Sequence, residues 1–112
     1  METNLEEKAL LLRTLGHPVR LRIAAGLAGH CACVREIWEC LGMPQAVVSQ
    51  HLKVMRESGI LVARREGARV CYSLRDETLA ALVAAIGLTP GLDRALPPLT
   101  ESLASRSPVA AG

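Results

Sequence analysis

Apolar side chains recur at helical spacing from the start of the chain. Leu5, Ala9, Leu12 and Leu15, with Leu11 beside them, form a stripe that stops at Gly16, a helix-ending residue. Pro18 suits the first position of a second helix, to which Val19, Ile23, Ala24 and Leu27 give an apolar face before Gly29. A third, short helix is predicted from about Cys33 to Leu41, with Val34, Ile37, Trp38 and Leu41 on one side. After the break at Gly42-Met43, Pro44 opens a fourth helix that runs to about Glu57 and closes at Ser58-Gly59. Val48, Leu52 and Met55 fall at i, i+4 and i+7 and point inward, which leaves Gln45, Ala46, Ser49, Gln50 and Lys53 on the outer face.

The period then changes. Ile60–Arg64 and Val70–Leu74 are β-prone runs, and the stretch between them, Arg65 to Arg69, is predicted to be the basic tip of a hairpin. Alternation sets Val70, Tyr72 and Leu74 on one face and Cys71 and Ser73 on the other. Asp76 is placed to cap a fifth helix through about Leu88, whose Leu79, Leu82, Val83 and Ile86 make it apolar on more faces than one chain of this size can bury. From residue 91 the chain is rich in Pro, Ser and Ala. The expected division is therefore a domain over 1–90 and a partly ordered tail over 91–112.

With 112 residues, half of them hydrophobic and 21% charged, the chain has the material for one core. One Trp, one Tyr and no Phe argue against modules that stack bases on aromatic platforms. No apolar run is long enough to span a membrane, and the polar, acidic first residues do not read as an export signal, so a cytoplasmic protein with reduced thiols is expected. The net charge of +2 conceals a concentration of positive charge. Residues 44–75 carry Lys53, Arg56, Arg64, Arg65, Arg69 and Arg75 against Glu57 and Glu66, as a surface facing phosphates requires.

Two short helices around a tight break, the second polar outside and followed by a basic hairpin, describe a winged helix-turn-helix: mainly α with a small β-hairpin, in the order α-α-α-α-β-β-α. The major groove of B-DNA admits one helix. Gln45, Ser49 and Gln50 carry donors and acceptors of the types that read base edges or grip phosphates, and Ala46 shares their DNA-facing side. Lys53, Arg64, Arg65 and Arg69 supply attraction to the backbone of double-stranded DNA, and the amides behind Pro44 favour a phosphate. His51 lies at the edge of the buried stripe, where a DNA contact and a packing role are equally open. A thiol enzyme would need a poised Cys–His pair or a Cys-x-x-Cys on a βαβ unit, and neither occurs. A winged domain that binds another protein is the rival from a different class; its affinity would ignore salt.

Leu15-Gly16-His17-Pro18-Val19-Arg20-Leu21-Arg22-Ile23, Met43-Pro44-Gln45-Ala46-Val47-Val48-Ser49-Gln50-His51-Leu52-Lys53, Arg56-Glu57-Ser58-Gly59-Ile60-Leu61 and Arg64 to Leu74 resemble the ArsR/SmtB family over roughly residues 5–88. The resemblance implies a homodimeric repressor whose first and last helices form the dimer interface and which an inducer releases from operator DNA.

The cysteines point to the inducer. Cys33 occupies the N-cap of the third helix with Glu36 three residues on, as in a capping box, and there a thiol meets the positive end of the helix dipole. Cys31, two residues earlier on an extended segment, points the same way, so the pair suits one soft ion: arsenite or antimonite first, with mercury, cadmium and zinc behind. His30 is an additional ligand candidate; Cys40, a helix's length away, is a better core residue than a third ligand. Metal-responsive members of the family carry Cys-Val-Cys here, whereas this chain has Cys33-Val34-Arg35, with Cys31 as an upstream substitute. A cap substitute with no ligand role, and a thiol redox switch in place of an ion site, are the alternatives. Cys71 is left unassigned. The family's second metal site, at the dimer helix, is expected to be absent, because Thr78 stands where a His is required.

Overall fold

The computed structural model describes residues 4–88. Five helices and three strands follow in the order α1 (Leu5–Leu15), α2 (Pro18–Gly26), β1 (Ala32–Cys33), α3 (Val34–Leu41), α4 (Gln45–Glu57), β2 (Leu61–Glu66), β3 (Arg69–Leu74) and α5 (Glu77–Ala85). The expected tail over 91–112 lies outside the described residues.

Local chemistry starts and stops each helix. The Asn4 side chain accepts from the Glu7 N–H, His17 Nδ1 from the Val19 N–H, and the Asp76 carboxylate from the N–H groups of Thr78 and Leu79. Gly42 ends α3 in the left-handed region at φ 68°, and its N–H returns to the Trp38 carbonyl. Pro44 is the N-cap of α4 rather than its first helical residue, one position earlier in role than the sequence suggested.

The core is the meeting of α2, α3, α4 and α5 with the root of the sheet. Ile23, Ile37, Val48, Leu52, Met55, Ile60, Leu61 and Val83 are all essentially inaccessible, and each such side chain contributes about 1.5–3 kcal/mol relative to exposure. The inward stripe predicted for α4 is thus fully buried. α2 is buried on nearly every side, Arg22 and Ala25 included, because it lies at the centre of the helical layer. The stripe predicted for α1 divides. Leu11 and Leu15 pack against the core, while Leu5 and Leu12 remain 75% and 57% exposed. On α5, Leu79 and Val83 are buried, whereas Ile86 is 55% exposed.

The sheet differs from the expected hairpin in two ways. First, the ribbon is longer: Arg65, Glu66 and Arg69, assigned above to the tip, are strand residues, and the turn is only Gly67-Ala68. Gly67 takes φ 67°, which a glycine adopts without penalty. Second, the short strand β1 joins antiparallel, giving the order β1-β3-β2. Its register sets Ala32 opposite Tyr72 and Cys33 opposite Cys71. Two residues are too few to show a period, so no sequence pattern marked them as a strand.

Candidate nucleic-acid interface and thiol cluster

The helix-turn-helix is α3, the short break over Gly42, Met43 and Pro44, and α4. Its outer surface carries Gln45, Ala46, Ser49, Gln50 and Lys53, all exposed. No side chain caps α4, and the first backbone bonds to Pro44 come from Val47 and Val48. The N–H groups of Gln45 and Ala46 therefore stay available at the positive end of the helix.

His51 stands apart from that outer face. It is half-buried, its Nδ1 accepts a hydrogen bond from Arg20 Nε at 3.3 Å, and its ring lies 4.7 Å from the ring of His17. Arg20 also donates to the Thr14 carbonyl, so this group ties the start of α2 and the end of α1 to the middle of α4. Burial, and then the charge of Arg20, lowers the pKa of His17. Burial, followed by His17 and Arg20, lowers that of His51. Both rings are thereby held neutral, and the geometry fits the packing role.

Beside α4 rises the ribbon β2–β3. Arg64 is bound by Glu66 through Nε at 3.2 Å and through its terminal nitrogen at 2.9 Å, and Arg69 reaches Glu36 at 3.4 Å. These pairs are more than half exposed on the arginine side and are worth about 0–1 kcal/mol. A phosphate displaces such a partner at little cost. Arg65 is exposed and makes no ion pair with any described residue.

The thiols lie on the opposite edge of the sheet's root. Cys31 is exposed and Cys33 half-buried. Cys33 is the N-cap of α3, and its N–H donates to Glu36 at 2.8 Å. That bond is the main cause of the lowered Glu36 pKa. The Arg69 guanidinium lies close enough to the Cys33 side chain to interact with it electrostatically, which links the wing to this cap. His30 is exposed and close enough to Glu36 to act on it electrostatically. Cys40 is elsewhere: at the far end of α3 it accepts from Arg22 at 3.7 Å.

Among the described residues no three His, Cys, Asp or Glu side chains converge closely enough to hold a metal ion. Cys31 and Cys33 thus offer two soft donors, which suit a thiophilic ion, while a third would have to come from outside this set. Cys71, left unassigned from the sequence, is the residue that pattern reasoning missed. It is buried opposite Cys33, and its Sγ donates to Glu66 at 3.5 Å. Only the unforeseen strand β1 brings it there.

A helix-turn-helix flanked by an arginine-bearing ribbon defines the winged helix-turn-helix class of nucleic-acid-binding domains. Known proteins agree. The family described as bacterial regulatory protein, arsR family, matches residues 17–62. The chain is 41% identical over 86 residues to the biofilm growth-associated repressor of Agrobacterium fabrum, covering 77% of this chain and 74% of that protein. It is 42% identical over 73 residues to the HTH-type transcriptional repressor SmtB of Mycobacterium tuberculosis, covering 65% of this chain but only 54% of that repressor's length. Among solved structures, a homodimeric winged helix-turn-helix DNA-binding domain from Mycobacterium bovis, titled a possible ArsR-family transcriptional regulator, superposes with a TM-score of 0.69 at 32% identity over 73% of this chain and 76% of that one. The chain belongs to the ArsR/SmtB family of winged-helix transcriptional repressors, a family of regulators rather than enzymes.

Proposed function

We propose that this protein is a cytoplasmic DNA-binding repressor, that it acts as a homodimer on two-fold symmetric operator DNA, and that a thiophilic ion bound by Cys31 and Cys33 releases it. One observation carries the DNA half: the exposed polar face of α4, with its unsatisfied first amides, stands next to a ribbon whose arginines are held by weak exposed pairs or none. Gln45, Ser49 and Gln50 read base edges, Ala46 permits close approach, and Lys53, Arg64, Arg65 and Arg69 grip the backbone. His51 orients the helix from behind.

Dimerisation is supported by apolar residues that the described part of the chain leaves partly or largely exposed. Leu12, Leu21, Leu82 and Ile86 line a groove of about 190 Å³ between α1, α2 and α5. A second copy across that face buries them and presents two α4 helices about one turn of DNA apart, roughly 34–36 Å. The relative from Mycobacterium bovis is homodimeric, in keeping with this arrangement.

The effector half rests on chemistry. Two thiols at the entry of α3, the helix that braces α4, form a soft site where arsenite or antimonite binds best. An ion that draws Cys31 toward Cys33 shifts α3, and with it the spacing of the paired recognition helices. By linkage, DNA must weaken ion binding by the factor with which the ion weakens DNA binding.

The test is a titration of labelled symmetric promoter DNA with and without arsenite, antimonite or cadmium, repeated with Cys31→Ser and Cys33→Ser. Release by an ion from the wild type alone supports the assignment. Normal release from both variants refutes the site, and indifference to every duplex at low salt refutes the repressor. Trp38, half-buried on α3, reports ion binding by fluorescence.

A further inference from the structure

Register and alternation put Cys33 of β1, Arg69 and Cys71 of β3, and Arg64 and Glu66 of β2 on one face of the three-stranded sheet. The other face carries Ala32, Leu61, Tyr72 and Leu74 and packs on the core. On the thiol-bearing face Cys33 and Cys71 are direct cross-strand partners. Directly opposed residues of an antiparallel pair have Cα atoms about 4.5 or 5.5 Å apart, according to whether they exchange hydrogen bonds. Both spacings fall within the roughly 4.4–6.8 Å that a disulfide spans. Cys31 precedes the paired residues of β1, although it is near enough to Cys71 to act on its charge, and Cys40 is on another element.

We propose that Cys33 and Cys71 form a reversible cross-strand disulfide under hydroperoxide oxidants, tying the root of the wing to the N-cap of the helix that braces α4. Their surroundings differ as the two roles in such a reaction require. Cys33 is half-exposed, so an oxidant reaches it, and the Arg69 guanidinium lies beside its side chain. Cys71 is 7% exposed and shielded from the oxidant. Burial, then its hydrogen bond to Glu66 and the nearby charge, pushes its thiol pKa up, so it waits as the protonated partner.

The chemistry closes in two steps. The Cys33 sulfur attacks the distal peroxide oxygen and breaks the O–O bond. This gives a sulfenic acid and releases an alcohol, or water when the oxidant is hydrogen peroxide. Cys71 then attacks that sulfur and the S–O bond breaks, with Glu66 taking the Cys71 proton and passing it to the departing hydroxide, which leaves as water. The S–S bond forms, the peroxide has taken two electrons, and the pair has lost two hydrogens. The arrangement also touches the DNA-binding surface. Cys71 shares the Glu66 carboxylate with Arg64, and Arg69, bonded to Glu36, lies beside Cys33. Closing the bond withdraws both sulfurs from partners of wing arginines and removes the play with which the ribbon settles on phosphates. Oxidation therefore weakens DNA binding by about tenfold, within the roughly 5- to 150-fold range of ordinary allosteric couplings.

This regulation rests on the repressor assignment above, but the disulfide can be observed without DNA. The reduced full chain is treated with hydrogen peroxide, blocked with iodoacetamide and digested with trypsin. The expected product is peptide 23–35 joined to peptide 70–75, lost on adding dithiothreitol. Because Cys31 and Cys33 share the first peptide, the Cys31→Ser variant assigns the bond: the cross-link persists there and disappears in Cys33→Ser. Cys71→Ser, checked for folding by circular dichroism, should instead accumulate a Cys33 sulfenic acid that dimedone traps. A cross-link through Cys31 or Cys40, a bond only between chains, or full alkylation after peroxide overturns the proposal. In parallel, duplex binding is compared for reduced and oxidised protein. A loss of about tenfold in the wild type and none in Cys71→Ser supports the switch. An unchanged affinity despite a mapped Cys33–Cys71 bond overturns its regulatory part. Reduced protein that binds no duplex overturns the repressor assignment, while the peptide map still decides the bond.

Discussion

Arg65→Ala is the sharpest probe of the wing. Arg64 and Arg69 are paired with the carboxylates of Glu66 and Glu36 and would have to leave them to meet a phosphate, whereas Arg65 is exposed and makes no ion pair with a described residue. Its charge is therefore fully available to a phosphate. Each phosphate neutralised contributes about 0.9 to the slope of log affinity against log salt, so removing one arginine from each chain of a dimer flattens that slope by about 1.8. Between roughly 50 and 200 mM salt the variant's deficit should then shrink about twelvefold. Fluorescence anisotropy with two duplexes of unrelated sequence measures it. The deficit should be the same factor on both, since a phosphate contact carries no sequence information. An unchanged slope, or a loss confined to one duplex, would refute the assignment of Arg65 to the backbone.

The recognition helix should respond in the opposite manner: Gln50→Ala should relax base discrimination by about 1–3 kcal/mol per site while leaving the salt slope alone, as competition with mutated duplexes would register. Gly42→Ala should destabilise the fold by about 1–2 kcal/mol in urea melts. Nothing lies within 4 Å of the added methyl, so that cost comes from the left-handed backbone alone. Ile37→Ala removes a fully buried side chain from α3 and should cost about 2–5 kcal/mol by the same measurement. Because His17 and His51 titrate below their ordinary 6.5, the unfolded chain takes up protons that the folded chain resists as the pH falls past that value. Their contribution is intact above about pH 6.5 and declines toward the lowered folded values. Urea midpoints should therefore drop modestly between about pH 7.5 and 5.5, and drop less in His51→Gln; a flat profile would count against a neutral pair.

What the sequence disclosed followed the strength of its local signals. The turn between α3 and α4 was legible because Gly42 and Pro44 punctuate it, and the buried face of α4 because Val48, Leu52 and Met55 keep helical spacing. The ribbon was drawn too short because Arg65, Glu66 and Arg69 look like loop residues, whereas backbone pairing with the opposite strand decides their state. Cys31 and Cys33 could be singled out from their position before a helix. The place of Cys71 could not, because it depends on a pairing between segments nearly forty residues apart in the chain. Leu5 and Leu12 keep the right period, but the described residues leave both largely exposed.

The outer margin of β2 has a consequence for handling the protein. β3 is paired on both sides, so among the described residues β2 presents an unpaired row of amides and carbonyls, the kind of template on which sheets of separate molecules stack into aggregates. Arg64, Arg65 and Glu66 stud that margin with charge, and an incoming strand would have to strip their hydration. The same arginines thus guard the free protein against fibre-like association whenever no polyanion covers them.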